Sequence, residues 1–222
     1  MKFLPTTKEE MKSLGWDSID VLLISGDTYL DTSYNGSALV GKWLVEHGFK
    51  VGIIAQPEVD VPDDITRLGE PNLFFAISGG CVDSMVANYT ATKKRRQQDD
   101  FTPGGENNKR PDRAVLVYSN MIRRFFKGTT KKIVISGIES SLRRITHYDY
   151  WTNKLRKPIL FDAKADILSY GMGEMSMLQL ANALKNGEDW KNIRGLCYLS
   201  KEPKEDYLSL PSHAECLADK DK

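Results

Sequence analysis

Residues 19–36, IDVLLISGDTYLDTSYNG, constrain the fold more than any other stretch of this chain. Ile19, Val21, Leu22, Leu23 and Ile24 form an apolar run broken only by Asp20 and stopped by Ser25-Gly26-Asp27. Such a run, rich in branched side chains and closed by turn formers, reads as a strand buried on both faces. A helical pattern over residues 37–47 follows and ends at Gly48, and a second apolar run occupies residues 49–55. Strand, loop, helix and strand in this order make a βαβ unit, which requires a parallel pair and a right-handed crossover. Parallel sheets bind ligands beyond the carboxyl ends of their strands. The loop from Gly26 to Gly36, with Asp27, Asp31 and Ser33, is therefore the first candidate for function.

The remaining punctuation extends the alternation. Thr7 and Glu10 have the spacing of a capping box for a short N-terminal helix ended by Gly15. Pro57 and Pro62 bracket a loop before a short helix over 63–68, and residues 73–78, LFFAIS, form a third strand. Gly79-Gly80-Cys81 turns that strand into a helix whose apolar positions are Val82, Met85, Val86 and Tyr89. Lys93-Lys94-Arg95-Arg96 then reads as a solvated, dipole-matched helix end, and residues 97–111 as an exposed polar insertion. Ala114, Val117, Tyr118, Met121, Ile122 and Phe125 repeat at helical spacing. Strands are expected over 132–136, 165–170 and 193–199, and a helix over 175–184 with Gly187 as its cap. Residues 138–162 read as a long packed loop, and the chain beyond 200 as a polar linker.

The totals exclude several classes. With 222 residues, 41% of them apolar, the chain suits one α/β domain over residues 1–200 with a helical insertion around 82–130. A formal charge of +1 gives no global attraction to nucleic acid or membrane. No stretch approaches the ~20 apolar residues that span a bilayer, and the N-terminus lacks the apolar segment of a secretory signal. Three cysteines, Cys81, Cys197 and Cys216, are too few and too scattered for a disulfide framework. The expectation is a soluble, cytoplasmic protein.

Candidate chemistry gathers at strand ends. Gly79 and Gly80 would let backbone approach a ligand, although a tight strand-to-helix turn needs the same residues. Glu139, Arg143, Arg144 and His147, with aromatic neighbours, combine acid, cations and imidazole after the 132–136 strand. Paired arginines hold carboxylate or phosphate and aromatics stack rings, while the plainer alternative is a structural Glu–Arg network under a long loop. Glu174, after Gly171-Met172-Gly173, either caps a helix or faces the same cleft. His47 and His213 have no partners at metal spacing and read as structural.

Several runs are specific enough to carry a resemblance. The opening FLPTTKEEMKSLGWDSIDVLLISGD, the run DSMVANYTATKKRR with TPGG and RPDRAVLVYSNMIRR, and GIESSLRRITHYDYW with ADILSYGMGE resemble the N-terminal region of YgiQ-type radical SAM proteins. The resemblance runs in order along almost the whole chain. It implies a flavodoxin-like, cobalamin-binding-like fold: a doubly wound parallel sheet of about five strands in the order 2-1-3-4-5. It also implies a parent that uses a [4Fe-4S] cluster and S-adenosylmethionine on an unknown substrate. Such cores ligate the cluster through C-x-x-x-C-x-x-C, which these three cysteines do not supply. The resemblance therefore implies an accessory domain whose radical SAM core lies in cis or in a split-gene product. Cobalamin-binding relatives carry D-x-H-x-x-G after the first strand, whereas here Asp31 and Gly36 match and Ser33 stands at the histidine. A hydroxyl is a poor cobalt ligand beside an imidazole, so histidine-ligated cobalamin is not expected. A second expectation, from another class, is a stand-alone module binding RNA or another polyanion through Lys93–Arg96, Arg123-Arg124 and Arg143-Arg144. One continuous basic face would favour it, and scattered positions would not.

Overall fold

The apolar runs become strands of one sheet in a computed structural model that describes residues 3–30, 36–205 and 207–219. After helix α1 (Lys8–Ser13), strand β1 (Val21–Ser25), helix α2 (Gly36–Glu46) and strand β2 (Val51–Ala55) form the expected βαβ unit. Helix α3 (Pro62–Thr66) leads to β3 (Phe74–Ser78), and α4 (Ser84–Asn88) and α5 (Ala114–Phe125) connect it to β4 (Lys132–Ser136). Helix α6 (Gly137–Leu142), a hairpin of β5 (His147–Asp149) and β6 (Lys154–Arg156), and α7 (Ile159–Ala163) precede β7 (Ile167–Ser169). Helix α8 (Glu174–Asn186), β8 (Leu196–Tyr198) and α9 (His213–Ala218) complete the chain. The main sheet has the order β2-β1-β3-β4-β7-β8. Its first five members are parallel, in the order expected, and β8 pairs antiparallel to β7 at the edge.

Helices cover both faces, as a parallel sheet requires. Alternate residues of β1 point to opposite cores. Leu22 and Ile24 pack with Ile65, Tyr118, Ile122 and Leu160 under α3, α5 and α7. Val21 and Leu23 pack with Leu44, Met177, Leu180 and Ala181 under α2 and α8. Burying each such aliphatic side chain contributes about 1.5–3 kcal/mol before conformational entropy is counted. The predicted capping box forms: Thr7 Oγ1 accepts from Glu10 N, and Glu10 accepts from Thr7 N. Gly187, at φ 70°, ends α8 in the left-handed conformation that favours glycine.

Several local expectations need correction. The helix after Gly80 is short, because Asp83 caps it at Met85 N and Tyr89 is already extended. Lys93–Arg96 consequently lie in a loop, not at a helix end, with Tyr89 bridging Arg95. Residues 97–111 are exposed at many positions, as expected, but Asp99, Thr102, Asn107 and Arg110 among them are buried polar groups. The 138–162 region, expected as loop, contains α6, the β5–β6 hairpin and the start of α7. The polar tail holds α9, started by a capping box between Ser212 and Glu215. Among the described residues no helix is long and apolar enough to cross a membrane.

Candidate functional site

The carboxyl edge of the sheet carries a pattern set by strand length. Strands β1, β3, β4 and β7 each end in serine: Ser25, Ser78, Ser136 and Ser169. The first three lie side by side in register. Beyond the last ladder bond the backbone must turn, and these hydroxyls supply the missing partners. Ser25 Oγ accepts from Asp27 N at 3.1 Å, and Ser78 Oγ accepts from Gly80 N at 3.2 Å. Ser136 Oγ donates to Ile77 O at 3.2 Å, and Ser169 Oγ lies 2.8 Å from Ser176 Oγ.

Above this row is a cleft of about 590 Å³ lined by Asp27, Gly80, Cys81, Ser141, Glu174 and apolar side chains including Leu23, Val40 and Met177. That volume lies within the range of small-molecule sites. Two glycines shape its floor. A side chain on Gly26 would run into the Gly79 carbonyl, because Gly26 N bonds Ser78 O at 2.9 Å and draws the two loops together. Gly80, at φ 118°, packs against the Asp27 carboxylate where any Cβ would collide.

Asp27 is 3% exposed and is held from two sides. Cys81 N donates to Oδ2 at 2.6 Å, and Arg110 Nη2 donates to Oδ1 at 2.6 Å. Arg110 is 1% exposed; its Nε donates to Gly26 O at 2.9 Å, and Nη2 lies 3.4 Å from Asp99 Oδ2. Thr102 Oγ1 donates to Asp99 at 2.6 Å, and Gln56 Nε2 donates to Thr102 Oγ1 at 2.7 Å and Gly26 O at 3.0 Å. Burial raises the Asp27 pKa, with Asp99 adding to it and Arg110 opposing it. Burial, together with the nearby Asp27 charge, pushes the Cys81 thiol up to about 12, so this cysteine is not a thiolate nucleophile at neutral pH.

The second group of candidates lies apart from the cleft. Glu139 is buried behind Gly79, where Oε2 accepts from Ser84 N at 3.1 Å and Oε1 from Val115 N at 3.4 Å. One carboxylate thus serves the first turns of both α4 and α5. Burial raises its pKa, and the Asp83 charge adds to that rise. Arg143 is ion-paired to Asp83 and also donates to Glu139 O at 3.1 Å. Burial works against its charge, but the Asp83 hydrogen bond and charge outweigh that and raise its pKa. His147 bonds Ile145 O at 3.1 Å through Nδ1, and burial lowers its pKa. Glu139, Arg143 and His147 line a pocket of only about 10 Å³, room for one water at most. Arg144 stands elsewhere, donating to Ser141 O at 2.6 Å with its guanidinium 5.2 Å from the Tyr170 ring.

The structure therefore brings Asp27, Gly80 and Glu174 to one cleft with Gly79 in its supporting turn, and gives Glu139, Arg143 and His147 a packed neighbourhood of their own. Asp31 and Ser33 lie outside the described residues. Arg110 and Asp99 escaped the sequence reading because nothing local marks a cation and an acid within a polar run as buried partners. The serine row was visible in the repeated endings LLIS, FAIS, VIS and ILS. The thiols of Cys81, Cys197 and Cys216 are free and sit on the β3–α4 loop, β8 and α9. Among the described residues no three His, Cys, Asp or Glu side chains could hold a metal ion, so a four-iron cluster does not fit the residues present.

Comparison with known proteins fits this architecture. Two structures of TsrM, a radical S-adenosylmethionine methyltransferase from Kitasatospora setae, share the fold at TM-scores of 0.55 and 0.53 and 17% and 16% identity. One is described with cobalamin and a [4Fe-4S] cluster bound; the alignment covers 83% of this chain and 28% of that one. A UPF0313 protein of Fusobacterium nucleatum is 96% identical over 221 residues, covering 100% of this chain and 39% of the relative. UPF0313 proteins of Thermotoga neapolitana and Methanocaldococcus jannaschii are 54% and 51% identical, covering 96% and 99% of this chain and 38% of each relative. This chain thus spans well under half the length of the relatives it matches. The family model described as radical SAM N-terminal matches residues 3–222, and the chain belongs to that family.

Proposed function

We propose that this chain is the substrate-side N-terminal domain of a longer radical SAM enzyme, its strand-end cleft closed over by the catalytic part. The observation that carries the reading is the apolar rim of that cleft. Met172 is 86% exposed and Ile138 50% exposed in the lining of the cleft, and their chain neighbours Leu142 and Met175 are exposed apolar side chains as well. Exposed apolar side chains gathered at the mouth of a cavity mark a surface that another body covers. The cluster and S-adenosylmethionine belong to the missing part in this reading, since the cysteines here are scattered and free. A corrinoid with a histidine lower ligand is not part of this reading, because Ser33 stands in the sequence where that ligand belongs.

The test uses the full-length F. nucleatum relative beside the 222-residue chain. Reconstituted anaerobically with iron and sulfide, the long protein should hold a four-iron cluster and cleave S-adenosylmethionine reductively, and the short chain should do neither. Amide hydrogen exchange should be slower at Ile138 and Met172–Met175 in the long protein. Equal exchange in both would defeat the covering role.

The polyanion reading draws no support from the basic runs. Arg95 pairs with Asp112, Arg123 with Asp166, Arg124 with Asp60 and Arg143 with Asp83. Forks already engaged by the protein's own carboxylates are poorly placed to hold phosphates.

A further inference from the structure

The cleft has a chemical polarity that its position in the fold does not predict. Strand-end clefts in α/β proteins usually accept phosphates, which helix N-termini attract. Here the termini of α4, α5, α6 and α8 are already served by the protein's own acids, whereas α2, whose Gly36 and Ser37 line the cleft, has none in its first turn. Glu139 accepts from the first turns of α4 and α5 and sits in the first turn of α6, and Glu174 is the first residue of α8. A carboxylate in these places satisfies the N–H donors and cancels the positive end of the dipole.

The described lining contains no Lys, Arg or His, while Asp27 and Glu174 both face the cavity. Behind the floor the charges do not balance in favour of an anion. Arg143 is matched by Asp83 and Arg113 by Asp149, leaving Asp27, Asp99 and Glu139 against Arg110 and against Arg144, which bonds Ser141 O. Part of the hydroxyl row leans the same way. Ser136 donates its proton to Ile77 O and Ser78 to Gly80 O at 3.5 Å, which leaves these two with lone pairs for the cleft, while Ser25 is engaged only as an acceptor. Each Asp27 oxygen has one partner and a carboxylate has about four acceptor positions, so acceptor capacity is left there too.

We infer that the cleft binds an organic amine, with an apolar body against Leu23, Val40 and Met177 and an ammonium group between Asp27 and Glu174. The inference rests on the proposed function only in taking this cleft as the ligand-bearing face. It names the class of molecule that the domain holds there and rejects phosphate and carboxylate ligands of the same shape.

The test compares phenethylamine, phenethyl alcohol and phenylacetate on the 222-residue chain by backbone amide NMR shifts. Saturable shifts at Gly80, Gly137 and Gly173 are expected with the amine, at least about tenfold tighter than with phenylacetate. Glu174→Gln, a partly exposed position, should keep the fold and weaken the amine about two- to fivefold. Asp27→Asn should weaken it further. Equal or tighter binding of phenylacetate overturns the inference, as does no saturable binding of any probe at millimolar concentration. Amine affinity unchanged in both variants overturns it too. A long relative that assembles no cluster would defeat the radical SAM reading and leave the amine result standing.

Discussion

Replacing Arg110 by Met tests the buried ion cluster on which the cleft floor rests. The guanidinium is 1% exposed and is shared between Asp27 at 2.6 Å and Asp99 at 3.4 Å, with a third bond to Gly26 O at 2.9 Å. Met fills much of the volume but leaves two buried carboxylates facing each other. Removing one partner of a buried ion pair costs roughly 3–5 kcal/mol. Domains of this size hold about 5–15 kcal/mol, so Arg110→Met should remain folded with a sharply lowered midpoint. Urea unfolding followed by tryptophan fluorescence measures the loss.

The pH dependence of that loss identifies its cause. Arg110 opposes the burial that raises the Asp27 pKa, so its removal raises that pKa further. An acid whose folded pKa lies above its unfolded value makes the folded state bind the extra proton, and stability then falls as pH rises through the folded pKa. The deficit of Arg110→Met should be greatest at neutral and alkaline pH and close as pH falls toward the ordinary carboxylate value of 3.8. Adding Asp27→Asn should recover part of the neutral-pH loss. A loss below about 1 kcal/mol, or one that is the same at every pH, would refute the argument.

Three further outcomes follow from the same packing. Glu139→Ala should cost about 2–4 kcal/mol in chemical denaturation, since it leaves the Ser84 and Val115 amides without acceptors, and Glu139→Gln should cost less because one acceptor remains. Arg143→Ala should lower stability by on the order of 3 kcal/mol, because Asp83 loses its partner at a site where both side chains are mostly buried; an unchanged melt would return Arg143 to the list of free binding groups. His147 has a lowered pKa, so the stability tied to its neutral form is complete above 6.5 and is lost as pH falls below it. Melting temperatures of the wild type should therefore drop more steeply on acidification than those of His147→Gln, and superimposable profiles would show that the imidazole is not involved.

The sheet was legible because its signal is local. Strands β1, β3 and β4 are buried on both faces, so each appears as an unbroken apolar run ended by a serine. The capping residues of α1 and α8 are equally local, as one or two side chains fix each terminus. The cleft was half legible: its position follows from the parallel topology, and Asp27, Gly80 and Glu174 stand at strand ends. What stayed hidden depends on contacts far apart in sequence. Asp27 and Arg110 are separated by 83 positions, and a buried charge looks like an exposed one until its partner is known. The same blindness hid the buried members of residues 97–111. This segment carries groups that hold the first loop: Phe101 O accepts from Thr28 N at 2.9 Å, Thr102 accepts from Gln56, and Arg110 binds Gly26 and Asp27. Polar composition here reflects a segment that hydrogen-bonds to the backbone and side chains of the loop after β1. The register and partners of such a segment cannot be set by apolar periodicity, since it has none. They are set by the few buried donors and acceptors that would otherwise be unpaired, and those fix the shape of the cleft floor from behind.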